Sequence, residues 1–412
     1  MSASWEALWE QARAAAAARF GREPAVMGWA PGRAELLGNH TDYNGGLVIA
    51  AAIDRSTVVA GQRVKGREAR LVSVNFEQTD AFSLDAIERT EPGAWTRYVR
   101  GVCWALTQWC GPLESGFEAA IVGDVPLGGG LSSSASLQAA LAWFLIQLEV
   151  VPGRSSREFT HDVGDLHRME LAITLRRSEN EFVGVGSGLL DQFSSLFGRA
   201  DHALFLDCDT MLHDRLPLGN PAPAIVVCDS RTSRRLADGM YDQRRAECQR
   251  VVAAFRDRIP HRGEFHLSWV SLEQLEAAWD QLDPVGRRRA RHVLTENQRV
   301  RQGVEALKAG DVAAFGRLMS ASHASSRDDF ENSSPALDDL IAAAEAAPGF
   351  LGGKLSGAGW AGCTVNLVAA EQADAFAASV AENYARRTGT TPAVHICRAA
   401  DGAGAVPVVA PS

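Results

Sequence analysis

The stretch GDVPLGGGLSSSASLQAAL, residues 123–141, decides how the chain is read. The apolar run GFEAAIVGDVP enters it as a strand, and SSSASLQAALAWFLIQLEV leaves it as a long helix. Between them, Gly128, Gly129 and Gly130 let the backbone turn tightly and approach a ligand closely. Ser132, Ser133 and Ser134 then open the helix. Unpaired N–H groups at a helix N-terminus attract anions, phosphate above all, and serine hydroxyls add hydrogen bonds or a magnesium contact. A capped helix after a flexible turn is the plainer alternative, but glycine and serine packed this densely favour phosphate. No Gly-Lys-Ser/Thr follows, so this is not a Walker A loop, and the third glycine of a Rossmann fingerprint is missing.

Upstream, GRAELLGNHTDYNGG (32–46) crowds polar groups between glycines, just before the apolar LVIAAAI. A core strand is not expected to carry so many polar residues. Arg33 offers a planar charged fork suited to phosphate. His40 and Asp42 can hydrogen-bond sugar hydroxyls; as a metal signal, His-x-Asp alone is weak. Downstream, in SENEFVGVGSGLLDQFSSLFG (178–198), Asp191 follows a glycine stretch and precedes apolar residues. It suits a base or cation partner and equally a helix N-cap. GAGWAG (357–362) matches G-x-G-x-x-G, but CTVNLVAA after it reads as a strand, so the dinucleotide context fails. A glycine loop against bound phosphate or substrate fits it better.

Around these segments the predicted strands are Val26 to Trp29, Leu47 to Ile53, Val58 to Val64 and Leu71 to Phe76, with helices over 4–20, 94–110 and 156–177. A second half starts near PAIVVCDS, with helices at 238–257, 285–308, 311–323, 335–347 and 371–387. Strands and helices mix without strict alternation, which indicates α+β. A chain of 412 residues accommodates two domains, and the composition break near 205 divides it into 1–205 and 206–412.

The net charge of −9 gives no general attraction to nucleic acid or anionic membrane. The Arg-rich GRRRARH (286–292) is expected to be a solvated helix face. No apolar run is long enough to span a membrane, and the N-terminus lacks a secretory start. Trp5, Leu8 and Trp9 fall at helical spacing, as in an ordinary docking helix. Seven scattered cysteines without C-x-x-C spacing read as buried free thiols of a reducing compartment, so a cytoplasmic protein is expected.

Taken together, APGRAELLGNHTDYNGG, PLGGGLSSSAS, ENEFVGVGSGLLDQFSSLFG and KLSGAGWAGCTV resemble, in order, the motifs of the galactokinase branch of the GHMP small-molecule kinases. WTRYVRGV, MYDQRRAEC, RRARHVLTEN and SHASSRDDFENSSPALD add smaller matches, and the likeness runs from about residue 26 to 402. The resemblance implies two lobes with the site between them, the first like domain 2 of ribosomal protein S5 and the second ferredoxin-like. It implies phosphoryl transfer from ATP, with Mg2+, to the C1 hydroxyl of galactose. Asp191 then takes or orients the hydroxyl proton, and Arg33 lies beside it and offsets charge in the transition state. Pro126, Gly128, Gly129, Gly130, Leu131, Ser132, Ser133 and Ser134 form the nucleotide loop. Ser134 and Glu179 contact magnesium, and Asn39, His40, Asp42, Gly188 and Tyr241 contact the sugar. The small molecules are the expected partners, with no nucleic acid and no membrane, and a monomer is expected.

The chain departs from the pattern at several points. Asn39 stands where the signature has Glu, a position linked to the sugar's C6 hydroxyl, and Glu35 where it has Asn. An amide donates and accepts, whereas an ionised carboxylate only accepts, so a related kinase with altered C6 preference is the alternative. Glu35 compensating for Asn39 is a further hypothesis. Ser187 for Cys and GWAG for Phe-Gly-Gly are expected to be tolerated repacking; Arg234 replaces a frequent His. A non-catalytic sugar sensor is disfavoured because Asp191, Arg33 and the serines are all present, and a dehydrogenase would rest on GAGWAG alone.

Overall fold

Strand β1 (Val26–Leu37) is the element on which both halves of the molecule meet. It follows helix α1 (Ala3–Phe20) in the computed structural model, which describes residues 3–159, 164–232, 239–261 and 263–408. Strands β2 (Leu47–Val64), β3 (Glu68–Ser73) and β4 (Gln78–Ser83) come next, then α2 (Trp95–Cys110), β5 (Gly116–Gly123), α3 (Ser133–Gln147), α4 (Gly164–Arg177) and α5 (Leu190–Phe197). Strands β6 (His202–Asp207), β7 (His213–Pro217) and β8 (Ala224–Asp229) lead to α6 (Met240–Phe255), α7 (Leu272–Ala277), α8 (Pro284–Lys308), α9 (Val312–Ser325) and α10 (Pro335–Glu345). The chain closes through β9 (Phe350–Leu355), β10 (Cys363–Val368), α11 (Ala373–Thr388), β11 (Ala393–Cys397) and β12 (Gly404–Pro407).

One sheet runs β12-β1-β2-β5-β3-β4, with β6 on the free part of β2 and β7 beside β6; the other runs β11-β8-β10-β9. The second sheet is antiparallel throughout, with helices between its strands, in the strand order of a ferredoxin-like lobe. One boundary differs from the sequence reading. Because β6 and β7 pair into the first sheet, a division at 205 cuts through β6; by strand pairing it lies between Pro217 and Ala224. The last strand, β12, returns to pair with β1.

β2 is one strand where two were expected. Asp54, Arg55 and Ser56 interrupt its apolar pattern but stay in the strand, because neighbours satisfy them. Asp54 exchanges hydrogen bonds with the Arg398 backbone, and Asp124 accepts from the Ser56 N–H and pairs with Arg55. The helix expected over 156–177 is a short 3-10 turn, Ser156–Phe159, followed by α4.

Strand alternation decides what faces the core. In β8, Ala224, Val226 and Cys228 pack under α10 and α11, while Ile225 and Val227 face an apolar layer shared with Ala34 and Leu36 of β1. That layer joins the two sheets. Since Ala34 and Leu36 point into it, Arg33 and Glu35 point the other way, into a cleft. This corrects the expectation for residues 32–37. They are strand, not a polar loop, and the polar residues occupy the face that needs no apolar partner. Register shifts between Pro31 and Arg33 and between Glu35 and Leu37 bend the strand here. The Ala30 and Pro31 carbonyls accept from the Ser136 and Ser195 hydroxyls, which tie β1 to α3 and α5.

The Arg-rich segment is a solvated face only in part: Arg291 is exposed and Arg287 and Arg288 are half-buried. Arg289 is 2% exposed. It pairs with Glu247 at 2.6 Å and Glu331 at 2.6 Å, and Arg244 pairs with Glu247 at 3.0 Å. Charges buried this deeply survive because each is paired. Arg234 lies outside the described residues. No helix among the described residues is long and apolar enough to cross a membrane.

Candidate active site

A cavity of roughly 670 Å³ opens between the lobes. Of the residues expected to bind nucleotide, metal or sugar or to act in catalysis, only Pro126 and Gly129 do not line it. A side chain at Gly129 would meet Cys363, on the β10 side.

At one end lies the start of α3. Ser132 precedes it in the left-handed region (φ 57°) and makes no capping hydrogen bond. The first N–H groups of α3 therefore keep no side-chain cap, which is the arrangement that receives an anion. The buried Ser132 hydroxyl has no partner among the described residues. An orphan donor here is costly unless a ligand completes it.

In the middle, Arg33 Nε donates to Asp191 Oδ1 at 2.9 Å and Nη2 donates to the same oxygen. Arg33 Nη1 donates to the Gly130 carbonyl, so one guanidinium joins the carboxylate to the glycine loop. Asp191 Oδ2 receives no protein donor among the described residues and borders the cavity. Asp191 sits inside the first turn of α5, one residue past the helix start, and so is not its N-cap.

Glu179 lies in a π-helical turn, Ser178–Val183, that ends α4. Such turns re-aim side chains and recur at functional sites. Its carboxylate accepts from Ser134 Oγ (3.2 Å), Ser187 Oγ (3.1 Å) and Gln192 Nε2. Burial first, and then the Asp191 charge, raise its pKa to about 7. A buried carboxylate beside a serine hydroxyl is a hard oxygen donor set suited to magnesium. No group of three or more His, Cys, Asp or Glu side chains placed to hold a metal ion is found among the described residues. Ser187, expected to be simple repacking, donates to this carboxylate.

The far end is walled by residues 38–46 and the 356–362 loop. His40 also adopts a left-handed backbone (φ 59°). Its Nε2 donates to the Ala358 carbonyl at 3.0 Å, which leaves Nδ1 to accept from the Tyr43 hydroxyl at 2.8 Å. Burial lowers its pKa to about 3, so it is neutral. Its ring packs against Phe330, Tyr241 and Trp360. Asp42 faces Gly188 so closely that a Cβ there would lie 1.8 Å from Asp42 Oδ2. Burial, then the charges of Glu35 and Asp191, raise the Asp42 pKa to about 7. Asn39 is 1% exposed, and its amide is fully engaged. Nδ2 donates to Glu35 Oε1 (3.0 Å) and the Gly357 carbonyl (2.8 Å), while Oδ1 accepts from Ser326 and Asn332. Trp360 donates its indole N–H to the Glu331 carbonyl, a contact that the usual Phe could not make.

Sequence reasoning missed two features. Helix α8 grips the 38–47 turn. Glu296 Oε1 accepts from the Gly38 and Asn39 N–H groups, Asn297 Oδ1 accepts from the Leu47 N–H, and His292 Nε2 donates to the Asn39 carbonyl. RRARHVLTEN was the available signal. Second, a smaller cavity of roughly 260 Å³ adjoins the start of α3 through Ser133, Ser134 and Tyr98; Phe76, Trp95 and Leu127 give it apolar walls. Phe76 and Leu127 are exposed there, and nothing in the sequence analysis pointed to this cavity.

Residues 17–63 match the galactokinase galactose-binding signature. Residues 97–199 match the N-terminal domain of GHMP kinases, and residues 304–386 their C-terminal domain. A galactokinase of Roseiflexus sp. (strain RS-1) is 44% identical over 387 residues, 94% of each chain. The chain belongs to the galactokinases. The Homo sapiens galactokinase is 40% identical over 403 residues, 96% of each chain. The structure of Lactococcus lactis galactokinase complexed with galactose superimposes with a TM-score of 0.85 at 32% identity, covering 95% of this chain and 98% of that one. Methanococcus jannaschii mevalonate kinase, at 17% identity and a TM-score of 0.61, shares the fold alone. This galactokinase-family chain thus has the two-domain GHMP kinase architecture and is a sugar-phosphorylating enzyme that uses ATP and a divalent metal.

Proposed function

We propose that the chain transfers the γ-phosphoryl group of ATP to the C1 hydroxyl of galactose, giving galactose 1-phosphate and ADP. The observation that carries this is Arg33 holding one oxygen of Asp191 while the other borders a cavity that ends at an uncapped helix start.

The substrate hydroxyl meets Asp191 Oδ2, which orients it and receives its proton as the oxygen attacks. Arg33 fixes the carboxylate and places positive charge beside the transferring group. The N–H groups at the start of α3, with Gly128, Gly130 and the Ser132 hydroxyl, cradle the phosphates. Ser134 and Glu179 hold magnesium, which when bound neutralises phosphate charge. Asp42, Gly188, Tyr241 and His40 form the sugar wall, with Asn39 bracing it. The smaller cavity takes the purine, adjacent to the phosphate cradle. Positioning and charge supply most of the catalysis. The reading includes a cytoplasmic location, supported by scattered cysteines without C-x-x-C spacing, and a monomer, supported by a site built within one chain.

Coupled ATP turnover tests it across galactose, 6-deoxygalactose, galacturonate, N-acetylgalactosamine, arabinose and glucose. Highest kcat/KM on galactose is expected. Preference for a C6-altered sugar would replace galactose as the substrate, and absence of turnover on every sugar would refute the proposal.

A further inference from the structure

We infer that Glu35 is the sugar-specificity carboxylate of this site, its Oε2 accepting a hydroxyl at the hexose edge remote from the transferred phosphate. The inference rests on the galactose kinase reading.

Four observations carry it. Asn39 has no free polar atom to offer a sugar, because both its donors and its acceptor are engaged within the protein. Glu35 lines the cavity, and both its hydrogen-bond partners fall on Oε1: Lys354 Nζ at 2.6 Å and Asn39 Nδ2 at 3.0 Å. Among the described residues, Oε2 receives no donor. Lys354 is fully buried and also donates to the Leu355 carbonyl at 3.0 Å, so the carboxylate is anchored from behind and cannot swing freely. Finally, Glu35 follows Arg33 by two residues on the same face of β1. That places it about 6–7 Å further along the strand, comparable with the width of one hexose ring. With Arg33 and Asp191 at the reacting hydroxyl, Oε2 falls at the C4–C6 edge. The Glu35 charge also reaches Asp42 and Tyr241, which wall the same end.

The Asn39 amide therefore positions this carboxylate and does not read the sugar itself. A carboxylate only accepts, so it selects a sugar that presents a hydroxyl there and disfavours one presenting a second carboxylate.

The test compares kcat/KM for galactose, 2-deoxygalactose, 4-deoxygalactose and 6-deoxygalactose in the wild type and in Glu35→Gln. Lys354 and Asn39 both donate to the Oε1 position, so the glutamine oxygen must sit there, and its NH2 faces the cavity. In the wild type, loss of the 4- or the 6-hydroxyl should cost about tenfold to a hundredfold, as for a hydrogen bond to a charged group. Glu35→Gln should lose a similar factor on galactose, and that deoxy penalty should shrink below about threefold while the 2-deoxy penalty is unchanged. All three penalties surviving in Glu35→Gln would overturn the inference. Should the lone Lys354 charge prevent folding of that variant, the same scan on Glu35→Gln/Lys354→Met, with both charges removed, decides it. A wild type inactive on galactose removes the parent reading; an active wild type whose penalties survive the substitution removes only this one.

Discussion

Arg33 directs two nitrogens at the same oxygen of Asp191, and the second carboxylate oxygen is left facing the cavity. The pair divides its labour within one side chain: one oxygen is fixed and the other is available to substrate. Asp191→Asn should therefore keep the fold and galactose binding while lowering kcat by about 10²–10⁴-fold. Arg33→Lys keeps the charge but cannot reach Asp191 and the Gly130 carbonyl together, so kcat should fall by at least about tenfold. Steady-state kinetics with calorimetric galactose binding checks both; wild-type turnover in either variant would return that residue to a structural role.

Gly188→Ala should abolish turnover with little loss of stability. The new Cβ would fall 1.8 Å from Asp42 Oδ2 and push that carboxylate off the sugar wall. Gly188 lies in an irregular segment, outside any helix or strand, so the fold itself is not strained. A galactose KM within a few-fold of wild type would contradict the assigned contact.

Asp42→Asn separates stability from function. The folded-state pKa of Asp42 is raised to about 7 from an ordinary 3.8, so the folded form binds its proton more tightly than the unfolded form. This carboxyl is harmless to stability below about pH 4, and its cost grows until pH passes about 7. The variant should melt above the wild type, by a margin that widens from pH 4 to 7 and then levels off, while sugar turnover is lost. Melting curves at pH 4, 5.5, 7 and 8.5 give the answer; a margin that narrows with rising pH has the wrong sign.

Glu296 shows the opposite linkage. Burial pushes its pKa up, but Arg299, His292 and the Ser322 hydroxyl outweigh it and hold the value at about 2, against 4.5 unperturbed. Its contribution is present above pH 4.5 and disappears as pH falls toward 2. Glu296→Gln should destabilise by about 2–4 kcal/mol at pH 7 and loosen the 38–47 turn, raising the galactose KM. Denaturation at pH 7 and pH 3 should show the difference between wild type and variant shrinking at the lower pH.

Phe76→Ser tests the smaller cavity. Phe76 is 43% exposed, so its loss should change stability by less than about 0.5 kcal/mol. The ATP KM should rise several-fold with the galactose KM unchanged. Equal shifts in both would move the purine elsewhere.

Much of the site was legible because its chemistry sits in contiguous motifs. The glycine-serine loop pointed to an anion site through residue types alone, Asp191 was singled out with Arg33 by the family resemblance, and the structure brings all three to one cavity. What was not legible depends on strand alternation and on partners distant in sequence. Arg33 and Glu35 were left out of a strand because a core strand was not expected to carry so many polar residues, whereas β1 faces a cleft on one side. Arg289 read as solvated because Glu247 and Glu331, which neutralise it, lie 42 residues away on either side. The engagement of Asn39 could not be foreseen, since Ser326, Asn332 and Gly357 reach it from 287, 293 and 318 residues downstream.

The pairing of β12 with β1 has a consequence for how the protein is made. Residues 404–407 lie beside residues 26–29, so the first sheet lacks an edge until residues 404–407 have left the ribosome. During synthesis β1 exposes an unpaired backbone edge, the kind of surface that recruits other chains. The nascent chain thus depends on late completion, and truncations that remove only the final strand should aggregate, although they spare every residue of the catalytic cleft.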